Sequence, residues 1–283
     1  MRIIVTGGSS GVGKATAAAL AAAGHSVLIA CRTIPKAEQA AAEMAGDVEI
    51  GHLDLADLSS VRRFADSVKT VDVLVNNAGV AGLPLTRTVD GFEAHIGTNH
   101  LGHFALTCQL GDKITDRVIS VGSVSYLWGR IDVDDLNWHT RKYSRLGTYG
   151  QSKLANMLFI TELARRGIRA YASDPGVADS DITRDSTGLV HWAGEHMYQY
   201  VSQSAADGAR ASIEAVTTEL PSGTYLAPRL KAWGKPVPTT PRKKARDPAM
   251  ARRLWDLSAE LTGCDWTPHA AEEGPSAEHT GQL

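Results

Sequence analysis

A glycine-rich turn between a short apolar run and an alanine-rich stretch places the tightest limit on the fold of this chain. Residues 3–6 form the run, which closes with Thr6, and the alanine-rich stretch ends near Gly24. This succession predicts a strand, a tight turn and a helix. Glycines in such a turn let backbone N–H groups approach a pyrophosphate at the positive end of the helix, so we expect a nucleotide-binding α/β fold. The predicted contacts are Gly7, Ser9, Ser10, Gly11, Val12 and Gly13.

The residue after the second predicted strand indicates which nucleotide this turn accepts. The strand covers residues 26–30, and Arg32 follows about 20 residues past the glycines, where NAD-binding proteins place an acid on the ribose 2′-hydroxyl. No acid stands at this position in the sequence. Arg32, with Lys36 one helical turn further on, favours a 2′-phosphate through charge-assisted hydrogen bonds. We therefore expect NADP rather than NAD as the cofactor.

Polar residues follow the third and fourth predicted strands. Residues 48–53 lead into Asp54, and residues 71–75 lead into an Asn-Asn-Ala-Gly turn at residues 76–79. The carboxyl ends of the strands form the ligand crevice of an open parallel sheet, so both turns are expected at the cofactor. The residues predicted to border it there are Asp54, Leu55, Asn77, Ala78 and Gly79.

The remaining pattern predicts one Rossmann-type, doubly wound α/β domain with a seven-stranded parallel sheet and helices on both faces. This domain spans residues 1–266, and residues 267–283 have little apolar content and are expected to be a flexible tail. Residues 178–203 contain Trp192 and Met197, which predicts either a substrate lid or an amphipathic helix packed on the core. The later predicted elements are helix 91–110, strand 117–121, a helix from 148 to 167, strand 168–173, helix 204–217, strand 223–227 and C-terminal helix 247–262.

The helix that begins near residue 148 places two chemically reactive side chains on one face. Tyr149 and Lys153 are four residues apart, so they project one turn above the other. A free tyrosine phenol has a pKa of about 10, but an ammonium within a few ångströms favours the phenolate and lowers that pKa. The pair therefore suits a general acid and base, although a surface contact is the simpler explanation of the spacing alone.

Composition argues against several other classes of protein. The 283 residues carry a formal net charge of −2, which gives no reason to expect nucleic acid or an anionic membrane as a partner. Cys31, Cys108 and Cys264 lie far apart, without the spacing of a disulfide framework or a zinc site. Met1 and Arg2 lead directly into an apolar strand, and no apolar run approaches the length of a membrane span. We therefore expect a soluble cytoplasmic protein.

Two further features suggest ligands but have simpler explanations. His100 and His103 lie three residues apart on the predicted helix, without a third metal ligand near them in the sequence. Two helical histidines are more often structural or surface residues, so we expect no metal. The basic run at residues 242–246 stands between prolines and is expected to be a solvated turn.

Taken together, these motifs closely resemble those of the short-chain dehydrogenase/reductase family, over residues 3 to about 265. Residues 30–32, 97–104 and 152–156 look like the retinol dehydrogenase and protochlorophyllide reductase branch. One departure is Gly122, where relatives usually carry a serine before the functional one. The matching motifs are Thr6-Gly7-x-x-x-Gly11-x-Gly13, Asn76-Asn77-Ala78-Gly79, Asn99, Ser123, Tyr149-x-x-x-Lys153 and Pro175-Gly176.

The resemblance implies a role for each matching residue. Tyr149 would be the general acid that protonates a carbonyl oxygen while NADPH delivers hydride to its carbon, and Ser123 would hydrogen-bond that oxygen. Lys153 would bind the nicotinamide ribose and lower the pKa of Tyr149, and Asn99 would anchor a water that links Lys153 to solvent. The nicotinamide end would be bordered by Pro175, Gly176, Val177 and Ser180, and the substrate by Ser125, Trp192 and Met197.

The expected activity is NADP(H)-dependent interconversion of a carbonyl and an alcohol on a bulky, largely apolar small molecule. One alternative is a reductase of a carbon–carbon double bond on the same fold, and another is a non-catalytic protein that senses NADPH. Four intact catalytic positions argue against the sensor, and the chain length and the gap between Gly7 and Gly11 disfavour a sugar-nucleotide epimerase. Family members often pair through helices that match residues 91–110 and 149–166, which leaves a homo-oligomer open.

Overall fold

One sheet of eight strands forms the centre of the fold in the computed structural model, which describes residues 1–176, 204–230 and 233–267. The strands are β1 (Arg2–Thr6), β2 (Ser26–Cys31), β3 (Asp47–His52), β4 (Val71–Asn76), β5 (Ile114–Val121), β6 (Arg169–Ser173), β7 (Tyr225–Pro228) and β8 (Pro236–Thr239). Their order is β3-β2-β1-β4-β5-β6-β7-β8, and β1 to β7 are parallel. The predicted doubly wound α/β class is confirmed, with one strand more than the seven expected.

Helices cover both faces of the sheet because its strands are apolar on both sides. In β1, Ile3 and Val5 pack in one buried cluster with Leu20 of the first helix, whereas Ile4 packs in another with Leu106. The helices are α1 (Gly11–Ala22), α2 (Ile34–Ala42), α3 (Leu58–Ser67), α4 (Ala94–Ile96), α5 (Gly102–Leu110), α6 (Arg145–Arg165), α7 (Ala205–Thr217) and α8 (Pro248–Thr262).

The eighth strand corrects the prediction of a purely parallel sheet. No strand was predicted after residue 227, but β8 pairs antiparallel with β7, with Leu226 opposite Pro238 and Pro228 opposite Pro236. Proline has no N–H for a ladder hydrogen bond, so prolines fit a strand whose free side lies at the sheet edge. The two prolines are the reason why no strand was predicted here, but they are compatible with a strand at the edge of a sheet.

The predicted helix 91–110 is divided by an irregular turn. It begins at Ala94, and residues Gly97–Leu101 form a π-helical turn between α4 and α5. Single π-helical turns widen the backbone and occur frequently at functional sites. This turn contains Asn99, so the predicted catalytic residue lies at the irregularity and not in a regular helix.

The C-terminal helix α8 belongs to the main core. Trp255 is 2% exposed and packs edge-on against Phe104 of α5, with the ring centroids 4.9 Å apart, and stacks on Phe159 of α6 at 5.8 Å. The Arg166 guanidinium lies 3.9 Å from the centre of the indole ring. Trp255 is therefore part of the core.

Several sequence predictions fall outside the described residues. These include the lid at 178–203 and nearly all of the tail at 267–283. Among the residues that the structure describes, no helix is long and apolar enough to cross a membrane.

Replacement of Trp255 by alanine should cost about 3–5 kcal/mol of unfolding free energy, because it removes a large side chain from a packed aromatic cluster. Urea denaturation measures this loss. Trp128 is 66% exposed, so Trp128→Ala is the matched control and should change the unfolding free energy by less than about 0.5 kcal/mol. Equal losses in the two variants would show that α8 does not stabilise the core.

Candidate active site

The glycine turn after β1 allows the protein backbone to come close to a ligand. Gly7 has a φ of 69°, a left-handed conformation that favours glycine. A Cβ atom on Gly13 would lie 2.4 Å from the Gly7 carbonyl oxygen and 2.3 Å from Asn77 Nδ2, so only glycine fits at the first turn of α1. Ser9, Ser10 and Val12 lie within the same turn, at the N-terminus of α1, where backbone N–H groups favour an anion.

The structure brings Arg32 to the glycine turn. Cys31 ends β2, and its thiol hydrogen-bonds with the Ser9 side chain and with the Gly8 and Ser9 amides. Burial raises the pKa of this thiol, and those hydrogen bonds offset part of the effect. Arg32 follows immediately, and both it and Lys36, in the first turn of α2, are exposed. Two exposed cationic residues therefore follow the end of the strand that bonds to the glycine turn.

The Asn-Asn-Ala-Gly turn after β4 is fixed to the end of β1. The backbone N–H groups of Asn77 and Ala78 both donate to Thr6 Oγ1 at 2.9 Å, and Asn77 Nδ2 donates to the Thr6 carbonyl at 2.7 Å. In the loop after β3, Asp54 is half-buried and Oδ1 accepts from the Ala56 amide, while Leu55 is buried. The loops after β1, β3 and β4 thus lie at the carboxyl edge of the sheet.

Tyr149 and Lys153 occupy one face of α6 as predicted from their spacing. Lys153 Nζ lies 5.9 Å from the centre of the Tyr149 ring. Gly79 separates Lys153 from Asn99: a Cβ on Gly79 would be 3.2 Å from Asn99 Oδ1 and 3.8 Å from Lys153 Nζ. The structure therefore brings three of the four predicted catalytic residues, from α6 and the π-helical turn, to one place.

Asn99 is held rigidly within the π-helical turn. Its Nδ2 donates to the Val80 carbonyl and to Ser152 Oγ, both at 2.9 Å, and its Oδ1 accepts from the Val80 amide at 2.8 Å. The side chain of Asn99 therefore connects the loop after β4 to α6. A bond between this side chain and a water that reaches Lys153 stays a prediction from the family resemblance.

Lys153 is a buried cation that hydrogen-bonds a backbone carbonyl. Only 2% of it is exposed, and its Nζ donates to the Val121 carbonyl at 2.9 Å. Burial lowers the pKa of Lys153 to about 8, and the negative charge of Asp174 partly opposes this shift. Because that pKa lies above neutral, the side chain is mostly a charged ammonium at pH 7.

A buried acid after β6 accompanies this lysine. Asp174 is 2% exposed, and burial raises its pKa, while hydrogen bonds from the Tyr225 hydroxyl and the Gly176 amide oppose the shift. Neither Asp174 nor Tyr225 was predicted from the sequence to be part of the site. Their pairing joins β6 to β7 across a separation of 51 residues, so no local pattern indicates it.

Ser123 lies at the carboxyl end of β5, where it caps a short 3₁₀ turn. Ser123 Oγ donates to Ser125 Oγ at 3.1 Å and accepts from the Ser125 amide at 3.2 Å. Gly122, the departure from the family pattern, lies against Met157: a Cβ there would be 3.1 Å from its Sδ atom. The glycine therefore leaves space for the methionine.

The turn after β6 is the last described part of the site. Pro175 and Gly176 follow Asp174 there, and Gly176 has a φ of 66°. The other residues predicted for the nicotinamide end and the substrate lie outside the described residues; they are Val177, Ser180, Trp192 and Met197.

His103, which was expected from the sequence to be a structural or surface residue, connects Thr6 at the end of β1 to Asn99. Its Nδ1 donates to the Asn99 carbonyl at 3.0 Å, and its Nε2 accepts from the Thr6 hydroxyl at 2.9 Å. Burial lowers its pKa to about 4, so the ring is neutral at pH 7 and keeps this pair of roles. Its position four residues after Asn99, one helical turn away, is the sequence signal for the first contact.

His100 and His103 do not form a metal site with a third residue in the part of the chain that the structure describes. His100 instead hydrogen-bonds through Nε2 with Ser258 of α8 at 2.9 Å. In general, no group of three His, Cys, Asp or Glu side chains among the described residues is placed to hold a metal ion.

Comparison with known proteins agrees with this fold. Residues 1–134 match the family model of short chain dehydrogenases. Retinol dehydrogenase 12 of Mus musculus is 39% identical over 285 residues, which cover 93% of this chain and 87% of that protein. A crystal structure of a protein from Mycobacterium paratuberculosis is 43% identical, with a TM-score of 0.83 and 95% of each chain covered. A short chain dehydrogenase from Burkholderia cenocepacia in complex with NADP is 27% identical, with a TM-score of 0.62, and the match covers 79% of this chain and 94% of that one.

The chain therefore belongs to the short-chain dehydrogenase/reductase family and is similar to the retinol dehydrogenases within it. It is an oxidoreductase of a fold that binds a nicotinamide cofactor.

The buried histidines should make the protein less stable in weak acid. Burial lowers the pKa of His100 to about 3 and that of His103 to about 4. An unfolded histidine has a pKa of about 6.5, so below that pH the unfolded chain binds protons that the folded chain excludes. The unfolding free energy should fall as the pH drops from 6.5 towards 4, by up to about 1.4 kcal/mol per pH unit for each histidine.

Urea denaturation of the wild type and of His100→Gln between pH 7 and 5 measures this effect. The variant has one buried histidine fewer, so the slope of its unfolding free energy against pH should be smaller by up to about 1.4 kcal/mol per unit. Identical slopes would show that His100 is protonated in the folded state.

Proposed function

We propose that this protein is an NADP(H)-dependent oxidoreductase that interconverts a carbonyl and an alcohol on a bulky, largely apolar small molecule. The observation that carries the proposal is the buried Lys153 ammonium on the same helical face as Tyr149, at the carboxyl edge of the sheet. Tyr149, as an acid beside a buried cation, is suited to donate a proton to an oxygen that gains negative charge. The glycine turn for the nucleotide lies at the same edge of the sheet.

The nucleotide turn fits a dinucleotide phosphate. Gly13 cannot carry a Cβ atom, which brings the backbone at the start of α1 close to any bound phosphate. Arg32 and Lys36 then offer two positive charges where the ribose 2′ position lies in this fold. The NADP complex of the relative from Burkholderia cenocepacia supports this preference. These residues would hold the cofactor together with Asn77, Ala78, Gly79 and the Pro175-Gly176 turn.

Side chains of the protein supply the proton for this reaction. When bound, the reduced nicotinamide supplies a hydride to the carbonyl carbon. Tyr149 donates the proton to the carbonyl oxygen, and the Ser123 hydroxyl hydrogen-bonds the same oxygen. Lys153 stabilises the phenolate that Tyr149 becomes, because its ammonium lies near the ring and is screened from water by burial. In the oxidative direction Tyr149 accepts the proton.

The similarity to a retinol dehydrogenase supports an apolar carbonyl compound as the substrate. Retinal is therefore the first probe, with a short aliphatic aldehyde as the comparison and loss of reduced-nicotinamide absorbance as the readout. Formation of the alcohol supports the proposal. A product that keeps its carbonyl but loses a carbon–carbon double bond would instead support the alternative reductase.

Tyr149→Phe should lower turnover of retinal by about 10²- to 10⁴-fold, because it removes only the proton donor. NADPH affinity, measured by fluorescence titration, should change little since the ring remains. A variant that keeps more than about a tenth of wild-type turnover would show that Tyr149 is not the general acid.

Arg32→Asp should weaken NADPH binding by about tenfold or more and NADH binding much less, because it replaces a cation with a carboxylate that repels the 2′-phosphate. Titration of both cofactors measures the two dissociation constants. Arg252→Asp, an exposed change of the same charge on α8, is the matched control. Equal weakening of both cofactors would show that Arg32 does not face the 2′ position.

A further inference from the structure

A buried pair of a carboxylate and a histidine lies next to the Tyr149 ring. The pair belongs to the start of α4, just before the π-helical turn. Glu93 and His95 are each 0% exposed, and His95 Nδ1 lies 2.7 Å from Glu93 Oε1. Two ionisable side chains at full burial are expensive, and such pairs contribute little net stability. The pair therefore calls for an explanation other than packing.

The hydrogen bonds around the pair fix the orientation of the histidine ring. The Leu83 amide donates to His95 Nε2 at 3.3 Å, so Nε2 is an acceptor and Nδ1 carries the hydrogen that Glu93 accepts. Glu93 also accepts from the Ile96 amide at 2.9 Å and from the Tyr143 hydroxyl at 3.1 Å. Burial works to raise the pKa of Glu93, but its hydrogen-bonding and electrostatic interactions with His95 and the bond from the Ile96 amide outweigh it, so the pKa is lowered and the carboxylate is ionised.

The fixed ring contacts the catalytic helix at two points. His95 Nδ1 lies 3.1 Å from the hydroxyl of Thr148, the residue before Tyr149. The imidazole ring also packs edge-on against the Tyr149 ring, with centroids 6.2 Å apart and planes at 66°. Edge-to-face ring pairs have a preferred geometry, so the histidine limits how the tyrosine ring turns. Tyr149 therefore has His95 and Lys153 as ring neighbours.

We propose that His95, oriented by the Glu93 carboxylate, is a positioning residue that fixes the Tyr149 ring and thereby the direction of its hydroxyl. This inference rests on the proposed function, in which Tyr149 transfers the proton. A displacement of about 1 Å in a reacting group can cost about 100-fold in rate, so a rigid neighbour on the ring has a direct effect on turnover.

The test replaces the ring but keeps the hydrogen bond. In His95→Asn the side-chain amide can still donate to Glu93, while the contact with the Tyr149 ring is lost. We expect kcat with retinal to fall by about 10- to 100-fold, with KM for retinal and the dissociation constant of NADPH within about threefold of wild type. Rates are normalised to NADPH-binding sites, so unfolded protein does not contribute.

Tyr143→Phe is the matched control. It removes one hydrogen bond from the same buried carboxylate but leaves His95 against Tyr149, so kcat should stay within about twofold of wild type. If His95→Asn does not fold, Thr148→Val removes only the hydroxyl that His95 contacts and should lower kcat by about threefold to tenfold without loss of NADPH affinity.

The outcomes separate the inference from the function on which it rests. Full kcat in His95→Asn, or in Thr148→Val where that variant replaces it, would overturn the positioning role. Parallel losses of kcat and melting temperature in His95→Asn and Tyr143→Phe would also overturn it, because they would show a purely structural cluster. Tyr149→Phe is measured alongside: wild-type turnover in that variant would contradict the proposed function itself, whereas an inactive variant leaves the function standing.

Discussion

The burial of one lysine ammonium sets the requirements that the rest of the site meets. Lys153 is 2% exposed, and a buried cation is costly unless protein groups replace its water. The Val121 carbonyl at the end of β5 supplies one partner at 2.9 Å, and Asp174 after β6 supplies negative charge. Both are in place because β5 and β6 pair in register, with Val121 opposite Ser173. The sheet topology thus provides the groups that stabilise the charged form of Lys153 beside Tyr149.

Buried polar contacts connect this site to the end of β1, where the glycine turn begins. Thr6 at the end of β1 bonds the Asn-Asn-Ala-Gly turn and the neutral ring of His103, and His103 bonds the Asn99 carbonyl in the π-helical turn. Satisfied polar networks of this kind are rigid, because breaking one bond leaves a buried group unpaired. The end of β1, the turn after β4 and the π-helical turn that carries Asn99 are therefore held in one fixed arrangement.

Local patterns in the sequence were sufficient for the fold class, the glycine turn and the Tyr149–Lys153 pair, since each depends on a strand or helix period. Contacts between residues that lie far apart in the sequence could not be predicted from it. The β8 edge strand, the Asp174–Tyr225 bond and the contact of His95 with Tyr149 all require elements that only the folded chain brings together.

The central claim, that a buried ammonium tunes Tyr149, is tested most directly by single-turnover hydride transfer to retinal in Lys153→Met at saturating NADPH. Saturation removes the contribution of Lys153 to cofactor binding and leaves its effect on the proton donor. The control is Lys113→Met, since Lys113 also donates to a backbone carbonyl, that of Ala65 at 2.8 Å, but on another part of the fold. We predict a loss of about 100-fold or more for Lys153→Met and little change for the control. A Lys153→Met rate within about twofold of wild type would contradict the account.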